Sequence, residues 1–365
     1  MRVVVVGGGI VGAAAGYELV RAGVDTVLVD GAAGGRATSA GAGIICPWAS
    51  AVDDPDWYRM AAGGAEYYEG LRAALAEDGE TDLGYRRVGS LSLVSESEAA
   101  QAFQRVADRA REAPLAGDVE VIDARQAQEM FPPLGHDGPA IHIPGAARLD
   151  GRLVRDAMRR AAVRRGARIA EGTASIVADG AVRGVLVGEE FIGADAVIAA
   201  AGAWSPALLG PLGVEVRVEP QRGQIVHLRL PGAETSRWPV VLPQSRHYLL
   251  AFDDSRIVVG ATREEGAGFD YRVTAAGLAE VLAEALSVAP GLADATYAET
   301  RVGFRPAGPD IRPLLGAVPH VKGLVVANGL GASGLTMGPY AGSIAARVAR
   351  DVDPGIDLKA YDPLR

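Results

Sequence analysis

The chain begins MRVVVVGGGIVGAAAGYELVRAGVDTVLVD, and its chemistry starts with Gly7, Gly9 and Gly12. They form G-x-G-x-x-G between an apolar run, Val3 to Val6, and a helical pattern from Ile10 to Ala22. Gly7 allows the tight turn, Gly9 lets backbone approach a pyrophosphate, and Gly12 lets helix and strand pack closely. The helix N-terminus then faces the phosphates, while Asp30, after a second apolar run from Thr26 to Val29, can accept hydrogen bonds from a ribose. This is a dinucleotide site. An acid at position 30 suits NAD and FAD alike, so the motif leaves that choice open. A second glycine-rich turn, in LVVANGLGASGLTMGP, precedes another helical pattern near the end of the chain, as a long cofactor gripped at both ends requires. A helix N-terminus carries roughly half a positive charge, which is useful beside the edge of a flavin ring where negative charge collects on reduction.

Other chemistry finds little support. His136, His142, His227, His247 and His320 show no metal-ligand spacing and read as surface or satisfied core histidines. No G-x-S-x-G elbow supplies a hydrolase nucleophile. The basic run RRAAVRRGAR reads as the solvated face of a helix.

Two supersecondary patterns must position the glycines. The first is the strand, helix and strand of the opening stretch, in which Gly23 stops the helix. The second is the strand, glycine-rich loop and helix near the C-terminus. Between them the parallel rhythm lapses: a long helical pattern runs from Trp57 to Glu77, VGSLSLVSE has strand character, and a charged helix spans Glu96 to Glu112. It returns where Asp150 can cap a helix ending at Gly166, followed by a strand from Arg168 to Ala170. DAVIAAAGAWS adds a buried strand ending in Gly202. Residues 216–305 instead alternate like antiparallel strands, with HYLLAFDDSRIVVGAT a hairpin turned at Asp253, Asp254 and Ser255.

The 365 residues exceed the usual length of one domain. Net charge is -9, from 36 basic and 45 acidic residues, which argues against non-specific binding to nucleic acid or acidic membranes. Only Lys322 and Lys359 are lysines, and Cys46 is the single cysteine, so no intrachain disulfide forms and a reducing, cytoplasmic setting is expected. No apolar run reaches the 18 or so residues of a membrane span; peripheral membrane contact stays open.

The motifs VVVVGGGIVGAAAGYEL, GGRATSAGAGII, VIAAAGAWSPAL, VGATREEG, GFRPAGPDIRPLLG and NGLGASGLTMGPYAG occur in one order along the whole chain. In that order the sequence resembles the D-amino-acid oxidase (DAO) family of flavoproteins, which includes glycine oxidase, sarcosine oxidases and bacterial D-amino-acid dehydrogenases. The resemblance implies an α/β fold: a Rossmann-type, glutathione-reductase-like FAD-binding domain from residues 1–84, 145–215 and 306–365, with an inserted antiparallel β-sheet substrate domain from 85–144 and 216–305. It implies bound FAD. Gly7, Gly9, Ile10, Val11, Gly12, Asp30 and Gly31 would hold the adenosine and pyrophosphate. Arg36, Ala37, Thr38, Ser39, Gly41, Gly43 and Ile44 would follow the pyrophosphate and ring, with Ser175, Ala201, Gly202 and Trp204 along the FAD path. Gly331, Ala332, Ser333, Gly334, Leu335 and Thr336 would face the flavin pyrimidine edge. Cys46 does not match the site of covalent attachment in sarcosine oxidases, so the FAD is expected to be non-covalent.

On the substrate side the resemblance assigns Arg305 and Tyr248 to the substrate carboxylate, with His247 on the opposite face of the strand. Arg263 stands near the pocket, either favouring an acidic or polar substrate or pairing at the surface with Glu264 or Glu265. Ala332 replaces the arginine of glycine oxidases and leaves more room. The implied reaction is oxidative deamination of an amino acid, a small neutral D-amino acid or D-proline first, by hydride transfer to flavin N5 and hydrolysis of the imine to a 2-oxo acid. Glycine or sarcosine oxidation, and the flavin subunit of a larger dehydrogenase, are the alternatives. Oxygen or a quinone or dye would accept the electrons, oxygen slowly, since neither lysine matches the one that sarcosine oxidases place beside the flavin. A homo-oligomer or a multi-subunit complex is left open.

Overall fold

The computed structural model describes residues 1–31 and 33–365. Its centre is a six-stranded sheet in the order Leu314–Ala317, Leu324–Asn328, Ala196–Ala199, Arg2–Val6, Asp25–Asp30 and Arg168–Glu171. All neighbours are parallel except the first pair. The run VVVV has no polar alternation because both faces of this sheet are covered. Val3 and Val5 point into a core shared with the helices, whereas Val4 and Val6 point into a second core. That second core is closed by a three-stranded antiparallel meander, Ala174–Asp179, Ala181–Val187 and Glu190–Gly193, for which the sequence reading gave no elements.

On the helical side Ile10–Arg21 lies directly against Gly334–Ala349. Small residues permit this. A Cβ built on Gly338 would stand 2.7 Å from Ile10 Cγ2, and one on Gly342 would overlap the Val11 carbonyl. The two helices therefore run side by side with both N-termini at the same end of the sheet. The strands Arg2–Val6, Asp25–Asp30, Ala196–Ala199 and Leu324–Asn328 all finish there, where parallel sheets bind their ligands.

An eight-stranded sheet stands beside this body, in the order Thr296–Ala307, Glu219–Arg229, Arg256–Gly260, Tyr248–Ala251, Val240–Leu242, Ser90–Leu93, Ala140–Ile143 and Glu120–Ile122. It is antiparallel except between Val240–Leu242 and Ser90–Leu93. The hairpin turns where expected: Asp254 and Ser255 have φ of 61° and 57°, the paired positive values of a type I′ turn. Two expectations need correction. The stretch 216–305 is not all strand, because Thr274 caps a helix, Ala275–Val288, whose Val281 and Ala285 pack on Val226 and Val259. The strand before Gly202 stops at Ala199, and Gly202, with φ of 55°, opens a tight 3₁₀ turn instead.

The basic run is also more than a solvated face. On the helix Gly151–Arg164, Arg159 reaches Asp30 at 2.5 Å, while Arg160 and Arg164 both hold the buried Glu80 at 2.5 Å. Likewise His227 is neither on the surface nor satisfied: it is buried with neither ring nitrogen hydrogen-bonded, and burial together with Arg301 pushes its pKa down to about 4, so it stays neutral. No helix among the described residues is long and apolar enough to cross a membrane.

The close pairing of helices makes a prediction. Gly342→Ala should destabilise the protein by about 1–3 kcal/mol, as overpacking does. Gly70→Ala, on an exposed helical position with open space around its Cα, should be neutral or stabilising by about 0.5–1 kcal/mol. Equal effects in denaturant unfolding would contradict the packing account.

Candidate active site

A continuous cavity of about 480 Å³ opens where the parallel strands end and extends beneath the eight-stranded sheet. Its first part is built from the opening motif. Gly7 has φ of 112°, and a Cβ on Gly12 would overlap the Gly7 carbonyl, so both glycines are required by backbone geometry. Gly9, by contrast, has only Thr38 Oγ1 near its missing Cβ, at 3.4 Å, which leaves its face open to the cavity. Thr38 also accepts from the Ile10 amide at 3.0 Å, tying the turn Ala37–Ala40 to the helix start.

Asp30 sits at the end of its strand as expected, but it is not bare. Its carboxylate accepts from the Gly8 amide at 3.1 Å, from Arg36 Nη1 at 2.9 Å and from Arg159 Nη1 at 2.5 Å. A carboxylate has about four acceptor positions, so room remains for a ribose hydroxyl. Gly8 and Arg159 were missed in sequence. Arg159 comes from a distant helix, and no local pattern announces it.

The strand Thr296–Ala307 joins the two halves of the cavity. Phe304 donates its amide to Gly35 O at 2.8 Å, and Ala307 bridges to Leu330 at the second glycine turn. That turn is fixed in its place by Tyr68, whose hydroxyl donates to Leu335 O at 2.5 Å, and by Thr336, whose hydroxyl donates to Ile44 O at 2.9 Å. The same strand delivers Arg305. Its Nη1 donates to Thr262 O at 3.0 Å and approaches Gln221 Oε1 at 3.5 Å, and its stem crosses Gly223, where a Cβ would stand 2.6 Å from the guanidinium. Tyr248 lies in the same manner over Gly260, whose Cβ would come within 2.7 Å of the phenol oxygen. Glycines on the neighbouring strands thus clear the space in which both groups are held.

Burial sets their charge states. It lowers the pKa of Arg305, an effect that Tyr248 opposes and Arg263 reinforces, but an arginine so perturbed remains a cation at neutral pH. Burial pushes the Tyr248 phenol up to about 12, despite the pull of Arg305 and Arg263, so it is a hydrogen-bond donor and not a base. His247, the residue just before the strand Tyr248–Ala251, points towards Glu280 and Glu284 at 3.5 and 3.7 Å. Arg263 lines the cavity too. The surface pair with Glu264 does not form, because Glu264 is taken by Arg222 at 2.5 Å.

Nearly all the residues singled out in sequence meet on this one wall: Gly7, Gly9, Ile10, Val11, Asp30, Gly31, Arg36, Ala37, Thr38, Gly41, Gly43, Ile44, Ser175, Ala201, Gly202, Trp204, Gly331, Ala332, Gly334, Leu335, Thr336, Tyr248, Arg263 and Arg305. Three do not reach it. Gly12 packs beneath Gly7, Ser39 receives a hydrogen bond from Arg155 at 3.2 Å, and the Ser333 amide turns back to Leu330 O at 2.9 Å. Sequence reasoning also missed Phe304, which stands next to Arg305 in one motif, and Arg246. The latter sits in the bend just before the strand Tyr248–Ala251, where no strand or helix period could have placed it. Trp204 stacks on Phe269 at 5.0 Å and meets Phe304 edge-on at 6.1 Å, making an aromatic side to the cavity.

The cavity fits a dinucleotide flavin on its own geometry. It passes two helix N-termini, is floored by glycine backbone, and carries an acid at one part and guanidiniums at another. Among the described residues no group of three or more His, Cys, Asp or Glu could hold a metal. Comparison with known proteins agrees. The chain matches the family described as FAD dependent oxidoreductase (DAO) over residues 2–348. It is 46% identical to YurR, an uncharacterised oxidoreductase of Bacillus subtilis, over 99% of this chain and 98% of the relative. It is 31% identical to glycine oxidase of Pseudomonas putida, over 99% and 98%. The crystal structure of iminodiacetate oxidase from Chelativorans sp. BNC1 superposes with a TM-score of 0.96 at 51% identity, covering 99% of each chain. The chain belongs to the DAO family of FAD-dependent oxidoreductases.

Proposed function

We propose that the protein oxidises the carbon–nitrogen bond of an amino acid, with Arg305 and Tyr248 gripping the carboxylate one carbon from the reacting amine. The carrying observation is the pair itself: a guanidinium with no carboxylate of the described residues within 4 Å, beside a phenol held protonated, both opening onto the cavity that fits FAD. Glycine and iminodiacetate, named as substrates of relatives, both carry a carboxylate at that distance from nitrogen. A D-amino acid and a secondary amine satisfy the same grip.

Bound FAD supplies a two-electron acceptor. Gly7, Gly9, the first turns of Ile10–Arg21 and Gly334–Ala349, and Asp30 would hold it. Attachment is non-covalent on this reading: Cys46 is buried away from the cavity with its thiol 3.3 Å from Ser90 Oγ, and no histidine lines the wall. The protein's own contribution is orientation. Fixing the carboxylate at two points turns the adjacent C–H towards the acceptor, the kind of positioning that supplies a large share of a barrier reduction. The substrate C–H bond breaks with its electron pair, the nitrogen lone pair forms C=N, and water then adds to the imine and releases ammonia or an amine. The lone pair requires a neutral amine. Asp30 is the sole carboxylate on the described wall and is already bound by two arginines, so the ammonium proton leaves to solvent. Neither Lys322 nor Lys359 lines the cavity. Peroxide formation during turnover distinguishes oxygen from a quinone as the acceptor.

Two measurements check the roles. Arg305→Ala should raise KM for amino acids by at least about tenfold, the cost of one lost charge-assisted contact, with visible flavin retained; unchanged kinetics would remove Arg305 from the grip. Because burial raises the Tyr248 pKa, its proton stays on throughout neutral and mildly alkaline pH. Tyr248→Phe should therefore raise KM by roughly tenfold while leaving the pH profile of kcat/KM unchanged in shape. A shifted alkaline limb would show that Tyr248 titrates in catalysis.

A further inference from the structure

Arg305 and Tyr248 suffice for one carboxylate, yet two more guanidiniums, Arg246 and Arg263, line the same part of the cavity. Several arginines elsewhere that meet a cavity or a core are matched with acids: Arg36 and Arg159 with Asp30, Arg148 with Asp253, Arg222 with Glu264 and Asp270. Arg246, Arg263 and Arg305 have no carboxylate of the described residues within 4 Å. The acid next in sequence to Arg263 cannot help, since Glu264 accepts from Arg222, Gln224 and Thr262 on the other side of the chain. Burial, followed by repulsion from Arg246, disfavours the charged form of Arg263, and Arg263 in turn disfavours that of Arg305. Arg246 and Arg263 are exposed at the mouth of the cavity and Arg305 lies deeper, half-buried, so the three like charges repel one another along one wall and an anion that joins them relieves that repulsion. The arginines beside the glycine motif, Arg36 and Arg159, are a different pair and are already matched by Asp30.

We propose that Arg263 and Arg246 form a second carboxylate site, and that the protein selects amines carrying two carboxylates, one on each cationic pair. The proposal rests on the amine-oxidation reading above and narrows its substrate. Ala332, also on the cavity wall, carries only a methyl group and takes up little of the cavity. Two arrangements share this chemistry: carboxylates on either side of nitrogen, as in iminodiacetate, or along one carbon chain, as in aspartate. For iminodiacetate the balanced reaction breaks one C–H bond, whose hydrogen leaves with its electron pair to the two-electron acceptor that FAD would supply, releases one proton to solvent, and with one water yields glycine and glyoxylate. Arg263 and Arg246 touch neither the reacting carbon nor the nitrogen; they discriminate between substrates.

The test compares rates of anaerobic flavin reduction by iminodiacetate, D-aspartate and L-aspartate with those by glycine and sarcosine. A preference in kcat/KM of at least about tenfold for a dicarboxylate is expected, and which dicarboxylate reacts identifies the arrangement. In the double variant Arg246→Gln/Arg263→Gln that ratio should fall by at least about tenfold, the worth of one charge-assisted contact, with Arg263→Lys restoring part of it. A wild-type ratio near unity, or a ratio that the double variant leaves intact, would overturn the proposal. A redox-inert dicarboxylate provides a readout apart from turnover. Malonate or succinate should perturb the flavin spectrum at concentrations at least about tenfold below acetate, and the double variant should abolish the difference. If malonate behaves so while no amine reduces the flavin, the second site stands and the oxidation reading fails. If acetate and malonate are equivalent, the second site fails.

Discussion

Everything at the cavity depends on one backbone approach, that of the strand Thr296–Ala307 to the segment Gly34–Ala40. Gly35 has φ of 77°, a Cβ on it would overlap the Phe304 ring, and one on Gly303 would stand 2.7 Å from Ala40 Cβ. Only with both side chains absent can Phe304 donate to Gly35 at 2.8 Å. That contact brings a strand of the antiparallel sheet against the first turn after Asp30, and the same strand ends against Leu330 of the second glycine turn. Arg305 is one residue from the contact. The wall proposed to hold the cofactor and the wall proposed to hold the substrate are therefore registered to each other through main chain.

The second theme is the uneven distribution of compensated charge. Asp30 balances Arg36 and Arg159, and Glu80 balances Arg160 and Arg164, so the helix Gly151–Arg164 spends its cations on structure. Around Tyr248 the balance is withheld. The uncompensated guanidiniums weaken one another there, and the field they leave is available to an incoming anion in an environment where an ion pair counts for more than in bulk water. A net charge of -9 for the whole chain makes this local excess of positive charge more selective, because anions are repelled from most other surfaces.

The glycine motif, Asp30 and the two strand-to-helix turns were legible in the sequence because each follows from local rules: a spacing, a cap, an apolar run buried on both faces. The roles of Arg305 and Tyr248 came from resemblance, and the structure adds the reason they can be held, in Gly223 and Gly260 on partner strands. What stayed hidden depends on contacts distant in sequence. Arg159 could not be separated from its basic neighbours until the helix was docked against Asp30, and His227 gave no sign that its ring would be buried without a partner. The helix Ala275–Val288 was hidden differently: it lies in a region of strands, and its apolar residues at Leu278, Val281, Leu282 and Ala285 needed to be counted at a period of 3.6.

The central claim is that a resident flavin and a carboxylate grip share one cavity. The most direct measurement is the visible spectrum of the purified protein, recorded without oxygen as amino acids and imino acids are added one at a time. The account predicts the bands of oxidised flavin at the outset and their loss, within the dead time of manual mixing or shortly after, with an amine that bears a carboxylate on the adjacent carbon. A protein that is purified yellow, and stays yellow with every such amine while an amine lacking a carboxylate bleaches it, would contradict the account.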